Sequence, residues 1–221
     1  LSEVASLVRR TVSPEPDAPY TEIGIRSFFN GTFHRRTLPG AEFSWQKLFL
    51  IKSGDLIFSN LMAWEGAVAV AQARDEGCVG NHRMLTCEVD PDRALPRYVL
   101  AFLKTEAGMR QITAASPGSI ARNKTLSPSL MSGILVPIPP LDVQRRVVER
   151  LEMAETRIAQ RRSAAGVVVR ELDALLAAAF RRIAEDAPRA RMGDVAPLVR
   201  RSVMIDPVAS YTEIGVRSFF K

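Results

Sequence analysis

The chain has 221 residues, enough to bury a sizeable core and to make one or two domains. Hydrophobic residues make up 47% and charged residues 24%, the mean hydropathy is +0.01, and no run approaches the ~20 apolar residues of a membrane span, so a membrane partner is not expected. The formal charge of +6 and the pI of about 9.8 favour an anionic partner, nucleic acid first, and Arg far outnumbers Lys, which suits bidentate contact with phosphate or guanine as well as a GC-rich genome.

The start, Leu1-Ser2-Glu3-Val4, has neither the basic opening nor the apolar stretch of a secretory signal, which predicts residence in the cytoplasm. It also lacks an initiator Met, so the natural start is expected upstream. Two cysteines, Cys78 and Cys87, make no disulfide framework. Their spacing with His34 and His82 matches no standard zinc pattern, so both are expected to be buried free thiols and no metal is expected.

Along the chain, residues 1–29 carry the first copy of a repeat. They end in Tyr20-Thr21-Glu22-Ile23-Gly24-Ile25-Arg26-Ser27-Phe28-Phe29, which returns without a gap as Tyr211-Thr212-Glu213-Ile214-Gly215-Val216-Arg217-Ser218-Phe219-Phe220. Upstream, Val4-Ala5-Ser6-Leu7-Val8-Arg9-Arg10 matches Val195-Ala196-Pro197-Leu198-Val199-Arg200-Arg201. The period is far longer than that of solenoid repeats, so a whole module is duplicated. The chain holds one complete module and the opening of another.

Within the module, residues 48–61 alternate around a Gly-Asp turn and read as strands. Ala67–Ala71 and Cys78–Val89 read as further strands. Pro96 to about Ala114 reads as a helix with Pro in its first turn and Tyr98, Leu100, Phe102, Leu103, Met109 and Ile112 on its apolar face. A polar loop follows from Ser116 to Thr125, and residues 133–138 read as a last strand stopped by Pro139-Pro140.

From Leu141 to about Glu185 there is no Pro and a single Gly. Val147, Leu151, Ala154, Ile158, Ala165, Val168, Leu172, Leu175 and Ala179 recur at spacings of three and four, with Arg161 the polar interruption. That is a coiled-coil seam, on a helix spanning on the order of 65 Å at ~1.5 Å per residue. Such a stripe needs a partner helix. The fold class expected is α+β: a mixed α/β domain over 1–140, a long spacer helix over 141–186, and the start of a second repeat over 187–221.

Three segments now carry a family resemblance. They are Gly54-Asp55-Leu56-Ile57-Phe58-Ser59-Asn60-Leu61; the loop Ser116-Pro117-Gly118-Ser119-Ile120-Ala121-Arg122-Asn123-Lys124-Thr125-Leu126; and Val136-Pro137-Ile138-Pro139-Pro140-Leu141-Asp142-Val143-Gln144-Arg145-Arg146-Val147-Val148. With the long helix and the restarted module, this order resembles the specificity subunits of type I restriction–modification systems over nearly the whole chain. Val143 departs from the family, which usually has Glu before the Gln.

The resemblance implies two target-recognition domains, each reading half of a split site in double-stranded DNA. It implies antiparallel helices that separate them and dock the modification (methyltransferase) subunits, and a separate restriction (motor-nuclease) subunit. It also implies that the chain holds no cofactor of its own, because S-adenosylmethionine belongs to the partner that methylates adenine. The residues agree: there is no Asp/Asn-Pro-Pro-aromatic motif, no Gly-x-Gly-x-x-Gly, no Walker loop, and only two histidines from which to build a triad.

Base reading needs side chains of fixed donor geometry, with basic residues on phosphates. Ser119, Arg122, Asn123 and Lys124 are the first candidates. Arg26, Asn30, Arg35 and Arg36 are the second, interleaved with Phe28, Phe29, Phe33 and His34; Phe28 and Phe29 recur in the second copy and read equally well as core. Asn81, His82 and Arg83 come third, with Asn60 and Trp64. The partner seam is Val147, Leu151, Ile158, Val168, Leu172 and Leu175. The helix arginines (Arg145, Arg146, Arg161, Arg162, Arg181, Arg182) read as a solvated face with intrahelical Glu partners.

Two assemblies fit: a half-sized chain forming a homodimer through antiparallel helices, or the front of a two-domain subunit cut early in its second domain. The stop soon after Phe220 favours the cut. Two other classes stay open, the recognition part of a combined methyltransferase–nuclease enzyme and a coiled-coil protein-interaction adaptor.

Overall fold

The computed structural model describes residues 1–43, 47–118, 124–202, 204–206 and 208–212. It divides into two compact units, Leu1–Arg161 and Arg162–Lys221. The first unit opens with β1 (Ala5–Val8), β2 (Thr11–Val12), β3 (Pro19–Ile25), β4 (Thr32–Pro39), β5 (Leu48–Leu50), β6 (Leu56–Ser59), β7 (Val68–Val70), β8 (Val79–Asn81) and β9 (Met84–Val89). Helices α1 (Pro96–Leu103), α2 (Glu106–Ala114) and α3 (Pro128–Ser132) follow, and then α4 (Leu141–Ala184), 44 residues in one run.

The strands make two sheets. One has the order β1-β9-β6-β7 and is antiparallel throughout. The other has the order β2-β5-β8-β3-β4, with β8 and β3 its one parallel pair. Strand β6 shows how they are layered. Leu56 and Phe58 point into a core shared with Val99, Leu103, Ile112 and Met131 of the helices, while Ile57 points into a second core with Ile23 and Ile51. The four-stranded sheet is thus covered on both faces, helices on one side and the five-stranded sheet on the other. A strand buried on both sides must be apolar at consecutive positions, and Leu56, Ile57 and Phe58 are all fully buried. The predicted α+β class is the one observed.

Two predicted elements differ. Residues 96–114 form two helices, because Thr105 starts the second: its hydroxyl accepts the Gly108 N–H at 3.2 Å. The fold-back brings α2 so close to α1 that a Cβ on Gly108 would stand 2.4 Å from the Phe102 carbonyl oxygen. Residues 133–138 alternate as a strand should, Ile134 buried and Leu135 exposed, yet join no sheet. The backbone of Leu135 is satisfied instead by a side chain: its N–H donates to Gln111 Oε1 at 2.7 Å, and its carbonyl accepts Gln111 Nε2 at 3.0 Å. An amide that mimics a neighbouring strand leaves no trace in apolar periodicity.

The start of α4 is fixed to the module. Gln144, fully buried, accepts the Leu95 N–H at 2.9 Å and donates to the carbonyls of Arg93 (3.0 Å) and Pro139 (2.8 Å). Ion pairs Arg97–Glu152 and Lys104–Glu155 join α1 to α4. Glu152 and Glu155 therefore face α1. Of the helix arginines expected to have intrahelical Glu partners, Arg146 pairs within the helix, with Asp142 at 3.1 Å, and the others make no ion pair among the described residues.

In the second unit, the opening of the repeat keeps its local structure. The Asp206 N–H donates to the Tyr211 hydroxyl at 2.8 Å, as Glu15 does to Tyr20 at 3.1 Å, and α5 (Met192–Val195) repeats the turn of residues 1–4. The tertiary part is missing. Met192 and Val195 are exposed where Leu1 and Val4 are buried, and residues 196–199 form no strand where β1 does. Strand β1 is held by pairing with β9, and among the described residues 196–199 have no such strand beside them.

Asp75, fully buried, is a structural tie. Its carboxylate accepts the Thr32 hydroxyl and the Gln72 N–H, each at 2.8 Å, and lies 3.0 Å from His34 Nε2. Burial pushes its acidity one way. The bonds from Gln72, Thr32 and His34, with the Arg74 charge nearby, outweigh it and hold the carboxyl below its ordinary value of 3.8. A lowered carboxyl stabilises the fold above 3.8, and that contribution fades as pH falls from there through the folded value.

Two outcomes are expected. Asp75→Asn should lower stability at neutral pH and flatten the acid limb below about pH 4, read as Tm against pH. Gln144→Ala should cost about 2–4 kcal/mol in denaturant unfolding, since three backbone groups lose their partner.

Candidate nucleic-acid interface

Three of the sequence candidates meet at the carboxyl end of β6. The residue that joins them is Asn60. Its backbone N–H donates to the Arg83 carbonyl at 2.8 Å, its side-chain Nδ2 donates to the Leu126 carbonyl at 2.8 Å, and its own carbonyl accepts the Leu126 N–H at 2.8 Å. The β8–β9 turn (Asn81, His82, Arg83) and the end of the 116–126 loop are thereby held side by side. Arg9 fixes the same turn from its other flank, donating to the carbonyls of His82 and Met84 while stacking over Phe49 at 4.8 Å. Within the turn, Asn81 Oδ1 accepts the Arg83 N–H at 2.9 Å, and His82 and Arg83 are exposed. The guanidinium of Arg83 has no ion pair among the described residues.

Lys124 lies over the Trp64 ring at 5.1 Å, and the indole N–H donates to the Leu61 carbonyl at 3.0 Å. Ser119, Arg122 and Asn123 lie outside the described residues. The loop ends on either side are placed: the Thr125 N–H donates to the Pro117 carbonyl, and the Ser127 N–H to the Ala115 carbonyl. The two ends thus lie together, and Leu126 ties them to Asn60.

The β3–β4 hairpin divides. Its tip docks beside Trp64, with the Phe28 N–H donating to the Glu65 carbonyl and the Phe29 N–H to the Gly66 carbonyl, both at 2.8 Å, and the Ser27 hydroxyl to the Glu65 carboxylate at 3.2 Å. Phe28 and Phe29 hold left-handed backbone, φ +59° and +55°, which costs a non-glycine residue of order 1–3 kcal/mol. Phe29 lies on Gly66, where a Cβ would be 2.8 Å from its ring, and packs against the core. Phe28 is 74% exposed, so it is not core.

Arg26 donates to the Thr32 carbonyl at 2.6 Å and lies over Phe33 at 4.8 Å. Arg35 and Arg36 lie farther along β4 and share Glu22, at 3.7 and 3.2 Å. Neither contacts the Asn60 cluster, and Glu22 offsets part of their charge. Asn30 donates to the Ser27 carbonyl and lines a cleft of about 960 Å³ with Gln72, Arg97, Leu100 and Leu151. Asn60 was a lesser candidate in the sequence, where a single amide carries no spacing signal.

Near the site, Cys78 and His34 are the thiol and imidazole that lie side by side among the described residues. Cys78 Sγ lies 3.6 Å from His34, on the same Nε2 that faces Asp75, so the two ring nitrogens do not link thiol to carboxylate as a base and its orienting acid would be linked. Burial and the Asp75 charge push the Cys78 thiol up, and burial pushes Cys87 up to about 12. Both cysteines are free and buried, as expected. Among the described residues, no cluster of His, Cys, Asp and Glu could hold a metal, and no helix is long and apolar enough to cross a membrane.

Among the described residues, the seam of α4 is covered only beside the module. Val147 is half-buried, and Leu151 borders the cleft at 43% exposure. Ile158, Val168, Leu172 and Leu175 are exposed.

No protein-family model matches the sequence, and no curated protein matches it. Solved structures do. The chain is similar to the HsdS subunit from Thermoanaerobacter tengcongensis, with a TM-score of 0.65 at 18% identity over 87% of this chain and 50% of that one. It is also similar to a structure from work on complex assembly and conformational transition of the type I R-M system, with a TM-score of 0.63 at 17% identity over 86% of this chain and 52% of that one. The chain spans about half the length of the structures it matches, and over that span it has the fold of an HsdS subunit.

Proposed function

We propose that this chain is a recognition module and spacer helix of a type I restriction–modification specificity subunit, which reads half of a bipartite site in double-stranded DNA. The observation that carries the reading is that Asn60 joins the 81–83 turn to the loop end at Leu126, two residues from the Lys124 that lies over Trp64, on a fold like that of HsdS. Rigid elements hold these loops at one end of the β6 strand, as base readout requires. Arg83 and Lys124 supply charge for phosphates, and Arg122 and Asn123 supply the bidentate donors that pair with guanine and adenine. The chain selects a sequence and performs no reaction. Methyl transfer from S-adenosylmethionine to adenine and DNA cleavage are the work of methyltransferase and motor-nuclease subunits docked on its helix, in the cytoplasm.

The unpartnered seam of α4 supports a helical partner, either the corresponding helix of a longer subunit or a second copy of this chain lying antiparallel. Sedimentation at several concentrations is expected to show reversible self-association, and a strict monomer at all of them excludes the homodimer.

Binding to a mixed-sequence duplex should weaken steeply with salt. Arg83→Ala should lower affinity evenly across sequences and reduce the salt slope by about 0.9. Arg122→Ala or Asn123→Ala should instead relax preference at the half-site by roughly 1–3 kcal/mol, read by sequencing methylated sites with the modification subunit present. Salt-independent binding, or none, would sink the reading and favour a protein adaptor.

A further inference from the structure

The tip of the β3–β4 hairpin carries an aromatic residue that the fold itself does not use. Both Phe28 and Phe29 are held in left-handed backbone. Phe29 recovers that strain by lying on Gly66 and packing against the core. Phe28 recovers nothing, since its ring is 74% exposed. Asn or Gly would take the same turn with less strain and lose no packing. Yet Phe stands at this place in both copies of the repeat, as Phe28 and as Phe219.

The tip is also held firmly. The N–H groups of Phe28 and Phe29 and the hydroxyl of Ser27 all donate to Glu65 or Gly66. The backbone that carries the exposed ring is therefore fixed before any partner arrives, against the residue that follows Trp64, the ring over which Lys124 lies. Glu65, whose carbonyl receives the Phe28 N–H, already accepts the Ser27 hydroxyl on its carboxylate. Strain held at an exposed position, without packing in return, marks a contact made outside the chain.

We propose that Phe28 is a wedge that presses its ring against a base of duplex DNA and partly unstacks one base step beside the sequence read by the Asn60 cluster. This rests on the duplex-binding reading above. An apolar side chain inserted at a step must offset the loss of base–base stacking, and an aromatic ring on a fixed backbone does so by stacking on the exposed base face. The contact tolerates any base, so it positions the duplex and does not choose the sequence.

A wedge binds better where unstacking has already been done. Two mixed-sequence duplexes of one sequence, one with a single abasic site, are compared by fluorescence anisotropy at fixed salt. The full chain should bind the abasic duplex roughly tenfold more tightly than the intact one. Phe28→Asn, which suits left-handed backbone, should have a raised Tm and lose most of that preference while still binding the intact duplex. Phe28→Trp should keep the preference. An equal preference in Phe28→Asn and the unaltered chain overturns the wedge alone, whereas failure to bind either duplex overturns the duplex reading and the wedge with it. Loss of methyltransferase-subunit binding by Phe28→Asn, with its DNA preference unchanged, assigns the ring to a protein partner and also overturns the wedge.

Discussion

The four-stranded sheet has two faces to hide, and most of the module follows from that. Leu56 and Phe58 need the helices, and Ile57 needs the other sheet. Neither cover could be removed without exposing a row of fully buried side chains. Because both faces are occupied, the loops have only the strand ends to occupy. The carboxyl end of β6 is where the 81–83 turn, the loop that closes at Leu126 and the hairpin tip are gathered. The place where the chain can meet a partner is set by where its core leaves room.

What the sequence made legible depended on how each feature is encoded. Runs of apolar residues and the 3–4 seam gave β5 to β9 and α4, because burial is periodic and periodicity is local. The strand expected at 133–138 shows the limit. Its alternation is real, but a sheet needs a neighbour, and here Gln111 occupies that role. The break between α1 and α2 turned on one hydroxyl and on a glycine whose meaning, close approach to the Phe102 carbonyl, is tertiary.

The candidate site divides in the same way. Residue chemistry pointed to Asn81, His82, Arg83 and Lys124, and the structure places the 81–83 turn and the loop end side by side. It could not separate Arg83 from Arg35 and Arg36, because Glu22 lies thirteen or more positions away in sequence and adjacent only across a strand pair. Nor could it separate Phe28 from Phe29. Two identical neighbouring residues, both repeated, end in opposite surroundings because a left-handed turn sends one ring to the core and the other to solvent.

The root of the long helix mixes two kinds of attachment that respond differently to ionic strength. The Arg97–Glu152 and Lys104–Glu155 pairs are largely open to water and weaken as counterions accumulate. Gln144 is neutral, enclosed and bound to three main-chain groups, so added electrolyte leaves it untouched. In a concentrated buffer the helix would therefore lose its ionic ties to α1 and keep its neutral one.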